Sequence, residues 1–211
     1  MRGKLLLLGA AGTAKKAIES LREQDLFSTI ALLDNFATQS HLCSYPIIGK
    51  CDDLEKFKLD FTHAFICISE PEVRMHFLQK LISAGFEIPN IIHPRAYVCK
   101  SASIGVGTFV NALASIQSDS KIGDGCIVET GAIIEHDNEV GECVTIAPNA
   151  STTGNVKIGD STFMGVCSCI INHVTVGKNV IIAAGATVIA NVPDNVMVAG
   201  CPALIKKQRP C

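Results

Sequence analysis

From Val98 onward an aliphatic residue returns at every sixth position: Ile104, Val110, Ile116, Ile122, Val128, Ile134, Val140 and Ile146, then Ile158, Met164, Ile170, Val176, Ile182 and Val188. Thr152 is the one exception in the series. Four residues after many of these comes a small side chain, as at Ala102, Ala114, Ser120, Cys126, Ala132, Ala150, Ser168 and Ala186. Gly105, Gly123, Gly141, Gly159 and Gly177 recur eighteen residues apart. A six-residue repeat with an eighteen-residue superperiod implies a parallel β-helix with three short faces per turn, each coil stacking its aliphatic residues on those of the next. The recurrent glycines are expected at the tight corners.

Residues 1 to 92 follow another pattern. "KLLLLGA" predicts a buried strand and "TAKKAIESLREQ" an amphipathic helix; "TIALLDN" and "HAFICIS" predict two more strands. "EPEVRMHFLQKLISAG" is a helix with Pro71 near its start and Gly85 at its end, and "IPNIIHP" is expected to be a last strand. Strands spaced by helices indicate a small Rossmann-like parallel α/β sheet. The chain is therefore expected to hold an α/β domain over 1–92 and an all-β helix over 93–211.

Composition narrows the function. A formal charge of −2, with Lys206, Lys207 and Arg209 as the only basic run, and no Trp, leaves no surface suited to nucleic acid. The opening "MRGKLLLLGAAGTAKK" mimics a signal peptide, but its apolar run is short and Lys15 and Lys16 follow at once, as in a buried strand entering a glycine turn. No segment approaches the ~20 apolar residues of a membrane span. The ten cysteines are scattered, with only a C-x-C at Cys167 and Cys169, and read as reduced thiols of a cytoplasmic protein.

Hexads such as "IGDGCI", "VGECVT", "IGDSTF" and "VGKNVI", and the ending "VMVAGCPALIKK", resemble the left-handed β-helix of hexapeptide-repeat acyltransferases. With "GAAGTAK" and "LLDN" in a preceding α/β domain, the arrangement is similar to the NeuD-type sugar acetyltransferases over nearly the whole chain. The resemblance implies acetyl-CoA as donor and a sugar as small-molecule acceptor. It also implies a homotrimer with each site between adjacent β-helices, and an α/β domain that binds a sugar nucleotide.

Acyl transfer needs a base for the acceptor's proton and a donor for the oxyanion. In "IIEHDNEV", His136 is the base candidate, and either Asp137 or Glu135 is placed to orient its ring. The block falls at a corner and is expected to face outward; Asn138 breaks the small-residue rule there. The family carries its catalytic histidine in a matching "EH[DE]". By the same resemblance, the Gly154 N–H contacts the acetyl carbonyl, while Val166 and Ala184 line the coenzyme groove. Pro202 and Lys206 then fall near its outer end, unless the basic tail is merely solvated. Thr145 stands where relatives often have a second histidine, Thr13 where many have one in the first loop, and Glu129 where a neutral residue is expected. An acidic Glu129 favours a cationic acceptor such as an amino-sugar.

Gly9 and Gly12 follow the first strand and open a helix, whose N-terminal N–H groups attract phosphate. Asp34, twenty-two residues after Gly12, ends the second strand beside Asn35, as ribose- or base-binding acids do; a plain strand–helix turn explains the glycines equally well. A zinc centre is not expected: His136 and His173 are two coils apart, about 9–10 Å by strand spacing, and His93 precedes the helix. The expected activity is acetyl-CoA-dependent N-acetylation of a nucleotide-linked amino-sugar, such as a UDP-4-amino-sugar, for a bacterial surface glycan. O-acetylation of a sialic-acid-like sugar is the alternative, and a non-catalytic nucleotide-sugar-binding trimer the alternative of another class.

Overall fold

In the computed structural model, which describes residues 3–210, Leu5, Leu6, Leu7 and Leu8 are wholly buried in strand β1 (Gly3–Leu8). Parallel strands β2 (Phe27–Leu33) and β5 (His63–Ile66) flank it. A strand covered on both faces carries an unbroken apolar run, which is why this leucine stretch needs no alternation. Helix α1 (Gly12–Arg22) turns Ala14, Ala17, Ile18 and Leu21 inward at three- and four-residue spacing. Helix α2 (Pro71–Ser83) starts on Pro71 and is followed by Gly85, whose φ of +72° reverses the chain.

The sheet also holds an antiparallel hairpin of β3 (His41–Leu42) and β4 (Tyr45–Gly49), in the order β3-β4-β2-β1-β5. Neither strand is legible in the sequence, because both are short and half-exposed and Pro46 interrupts the second. The expected strand over "IPNIIHP" shrinks to Ile91–Ile92, outside this five-stranded sheet. Pro89 and Pro94 bracket it and remove the backbone donors a longer strand would need. The chain divides into two units between Pro94 and Arg95. No helix among the described residues is long and apolar enough to cross a membrane, and no disulfide joins the described cysteines; Cys211 lies outside them.

The second unit is a left-handed parallel β-helix. Two-residue strands recur every six residues, and each pairs in parallel with the strand one coil on, as Ile116 does with Ile134, Ile134 with Thr152, and Thr152 with Ile170. Face one holds Phe109–Val110, Ile127–Val128, Thr145–Ile146, Phe163–Met164 and Ile181–Ile182. Face two runs from Tyr97–Val98 through Ile133–Ile134 and Ser151–Thr152 to Thr187–Val188. Face three carries Lys121–Ile122, Glu139–Val140, Lys157–Ile158 and Thr175–Val176. The second residue of almost every strand is buried in the shared core.

The corners correct one expectation. Positive φ occurs at every sixth residue from 107 to 185, and ten of these fourteen positions are not glycine, among them Leu113, Asp137, Cys143 and His173. The glycines spaced by eighteen are absent from that set; they permit coils to approach each other. A Cβ on Gly159 would stand 2.6 Å from the carbonyl carbon of Gly177, and one on Gly123 equally close to that of Gly141. Gly159→Ala is therefore expected to cost about 1–3 kcal/mol by overpacking. At ~2–4 °C per kcal/mol for a chain of this size, thermal denaturation followed by circular dichroism should show a fall of several degrees.

Candidate active site

His136 stands two residues past Ile134, on the corner between faces two and three, with its side chain 52% exposed. Asp137 follows in the left-handed conformation (φ +57°). Its carboxylate Oδ2 lies 2.7 Å from Nδ1 of the imidazole. Asp137 rather than Glu135 thus orients the ring. A half-exposed ion pair adds little stability, so the significance of this contact is directional. With Nδ1–H donating to the carboxylate, Nε2 keeps its lone pair.

Nε2 hangs over Gly154, exactly one coil on. A Cβ at Gly154 would lie 2.5 Å from Nε2 and closer still to Cε1. Glycine is required here by the imidazole, not by its own backbone angles. The Gly154 N–H donates to no other group among the described residues.

Asn138 does not face outward as the rest of its block does. It is completely buried, one coil after Ser120 on the same corner, at the inward hexad position that Thr108 and Thr162 occupy on the corner between faces three and one. Thr108 donates to Gly123 O (3.1 Å) and accepts from the Cys126 N–H (3.2 Å). Thr162 repeats this with Gly177 O (2.8 Å) and the Val180 N–H (3.1 Å). Ser120 does so with Glu135 O (2.6 Å) and the Asn138 N–H (3.1 Å). Thr152, the break in the aliphatic series, is also buried, and its Oγ1 accepts from the Glu135 N–H at 3.3 Å.

The other expected residues divide between places. Val166 and Ala184 stack one coil apart on the corner between faces one and two, not on the His136 corner. Glu129 occupies that same second corner, buried, accepting from Asn111 Nδ2 at 3.0 Å. Thr145 is a buried residue of face one, between Ile127 and Phe163. A single groove through Gly154, Val166 and Ala184 is therefore not formed within one chain. Pro202 is exposed, and Lys206 lies on the exposed strand Leu204–Gln208, antiparallel to Val196–Ala199 at the edge of face one.

The first unit contains a cavity of about 480 Å³ lined by Gly9, Ala11, Asp34, Asn35, Ser69, Glu70 and Phe77, among others. Gly9 has φ +101°, and a Cβ there would meet Cys67 O at 2.9 Å. Gly12 begins α1, whose first turn has no side-chain cap. The carboxylate of Asp34 is already occupied: Oδ2 accepts from the Ala10 N–H (2.7 Å), and Oδ1 from the N–H groups of Phe36 (2.8 Å) and Ala37 (2.7 Å). These bonds tie two loops of the cavity together, and Asp34 also lines the cavity itself. Thr13 lies behind the wall, its hydroxyl 3.2 Å from that of Ser69, and Asn35 Nδ2 donates to Asp52 at 3.1 Å. Burial pushes the Cys51 thiol up to about 11 and the Cys67 thiol higher still, so both stay protonated.

Ser69, Glu70 and Phe77 carry no motif, and sequence reading passed over them. So it did with Arg74, a buried guanidinium whose Nη1 holds the carbonyls of Ile68 (2.9 Å) and Ser69 (2.7 Å). Among the described residues no three His, Cys, Asp or Glu side chains gather where one metal ion would bind them.

Residues 4–81 match the family of the PglD N-terminal domain. The whole chain is similar to perosamine N-acetyltransferase from Caulobacter crescentus, solved with CoA and GDP-perosamine, at 32% identity, 99% coverage of both chains and a TM-score of 0.94. It is similar to the acetyltransferase domain of PglB from Neisseria gonorrhoeae in complex with acetyl coenzyme A, at 32% identity over 98% of this chain and 100% of that one, with a TM-score of 0.93. WeeI from Acinetobacter baumannii shares 26% identity over 96% of this chain and 99% of its own, with a TM-score of 0.89. These likenesses and the β-helical fold place the chain among acetyltransferases that draw on acetyl-CoA. Within that class it belongs to the NeuD-type sugar acetyltransferases.

The packing of the ring on Gly154 yields a direct expectation. Gly154→Ala should displace the imidazole and lower kcat by roughly 10²-fold, as a small misplacement of a catalytic group does. Far-UV circular dichroism of the variant should be unchanged.

Proposed function

We propose that the chain transfers the acetyl group of acetyl-CoA to the amine of a nucleotide-linked amino-sugar, in the biosynthesis of a bacterial surface glycan. The observation that carries this reading is the oriented imidazole, with Nδ1 held by Asp137 and Nε2 open above Gly154. Nε2 takes a proton from the acceptor nitrogen as that nitrogen attacks the thioester carbonyl. The Gly154 N–H receives the oxyanion, and Asp137 supports the imidazolium. Collapse of the adduct breaks the C–S bond, and the departing CoA thiolate takes the proton back from His136. In the Caulobacter perosamine enzyme a single histidine was replaced by Asn and by Ala in structures with CoA and GDP-perosamine, which fits one imidazole as the centre of the chemistry.

The cavity of the first unit takes the nucleotide. Uncapped N–H groups at the start of α1 suit its phosphates, and Asn35 and Glu70 offer polar contacts. The occurrence of Val166, Ala184, Glu129 and Thr145 away from the His136 corner favours a cyclic homotrimer, in which the second corner of one copy meets the His136 corner of the next. Between those corners, face two presents Ser115, Ile133, Ser151, Cys169 and Thr187, all uncharged. The pantetheine arm then runs past Val166 and Ala184, rungs about 4.8 Å apart, towards Pro202 and Lys206. Glu129 approaches the acceptor, and Thr145 the coenzyme, from the second copy. The reaction takes place in the cytoplasm, where acetyl-CoA is available.

The test is a thiol-release screen with acetyl-CoA against UDP-, GDP- and CMP-linked amino-sugars and free sialic acids, alongside sedimentation analysis. An amino-sugar should turn over, the particle should be a trimer, and His136→Ala should lower kcat by about 10²–10⁴-fold without loss of fold. A free sialic acid consumed far faster than every amino-sugar would overturn N-transfer. Absence of any turnover would leave a binding scaffold, and full activity of His136→Ala would remove the assigned base.

A further inference from the structure

Asn138 does more than its inward neighbours. Like Thr108, Ser120 and Thr162 it bonds the next coil, donating from Nδ2 to Thr153 O (3.1 Å) and accepting at Oδ1 from the Val156 N–H (3.1 Å). Unlike those hydroxyls, its amide has further reach back into its own corner. Nδ2 also contacts Glu135 O, closely, and His136 O at 3.3 Å. One buried side chain therefore touches the carbonyl of the residue before the base, the carbonyl of the base itself, and the carbonyl of Thr153.

That last contact matters because Thr153 C=O and Gly154 N–H belong to one peptide group. A donor on the carbonyl fixes the plane of the amide and polarises it, making its N–H a better donor in turn. We propose that Asn138 is a positioning residue, which locks the His136 turn and the Thr153–Gly154 peptide into one alignment so that the base and the oxyanion donor face the same point. Asn138 touches neither substrate nor coenzyme and acts through those two groups. The proposal rests on His136 and Gly154 acting as described above.

The repeat itself supplies suitable variants. Thr occupies the equivalent inward position at 108 and 162 and Val at 144, 156, 174 and 180, all of them buried. Asn138→Thr should keep the bonds to Thr153 and Val156 while losing those to Glu135 and His136. Asn138→Val should lose all of them without leaving a large cavity. Kinetics with acetyl-CoA and GDP-perosamine, or the best acceptor of the screen, should show kcat lowered by ~10-fold for Thr and ~10²-fold for Val, the range seen when reacting groups are misplaced or an oxyanion donor is weakened. KM for acetyl-CoA should barely move, a split from kcat that a merely structural role would not produce.

A readout that needs no acceptor is the backbone amide resonance of Gly154 in glycine-labelled protein, expected to shift in Asn138→Val and to stay in place in Asn138→Thr. Wild-type kcat in the Val variant, or an unmoved Gly154 resonance, would overturn the proposal. If the Val variant does not fold, wild-type kcat in the Thr variant overturns it alone. His136→Ala measured in parallel separates the two ideas: an inactive His136→Ala beside a fully active Asn138→Val sinks the positioning role only, whereas an active His136→Ala sinks the assignment of the base.

Discussion

The main-chain hydrogen bonding between successive coils is the constraint on which the second unit depends. A two-residue strand has no stability of its own; it persists because its amides and carbonyls are taken up by the coils before and after it. The corner that bears His136 is held in the same way, the Asp137 N–H donating to Ser118 O (3.0 Å) and the Asn155 N–H to His136 O (3.1 Å). A reactive side chain placed there inherits the rigidity of the stack. A general base on a solvent-facing corner would otherwise wander, and the half-exposed contact with Asp137 is too weak to hold it alone.

Much of this was legible in the sequence, because a period of six with aliphatic residues leaves few architectures open. The His136 corner was legible too, as a polar block in an apolar template. What misled was the direction of Asn138. Its place four residues after Ile134 belongs to the inward set of small residues, yet it stands in a run of four polar residues of which the other three lie on the outward corner. Thr152 was visible as an exception without a reason. Both departures point into the coil, and both serve the His136 corner, one through the Glu135 N–H and the other through three carbonyls. The recurrent glycines misled differently: their spacing was informative, but steric approach between coils, not left-handed torsion, is what requires them.

The first unit was less legible, for a physical reason. Its cavity is assembled from single residues at the ends of separate elements, and no period links Ser69, Glu70 and Phe77 to Asn35. Two charged groups build it, Asp34 partly buried and Arg74 fully so. Asp34 gathers three backbone amides from both sides of the cavity, and Arg74 gathers two carbonyls of the opposite loop. Such charges are tolerated because the backbone completes their hydrogen bonding. The sequence position of Asp34 suggested a ligand contact; the structure adds that it braces two loops of the cavity it lines.

The stacking of His136 on Gly154 also governs how a chain of this kind can change length. His136 and Gly154 are neighbours because eighteen residues separate them. A single inserted or deleted residue between them would exchange inward for outward side chains along the rest of the coil, and a lost hexad would send the two groups to different edges of the prism. Gain or loss of a whole coil elsewhere leaves them in register. The coils keep an eighteen-residue pitch as far as the pairing of Ile170 with Val188, whereas the last pairing, Ile182 with Val198, spans sixteen; between 136 and 154 no such change of length would keep His136 over Gly154.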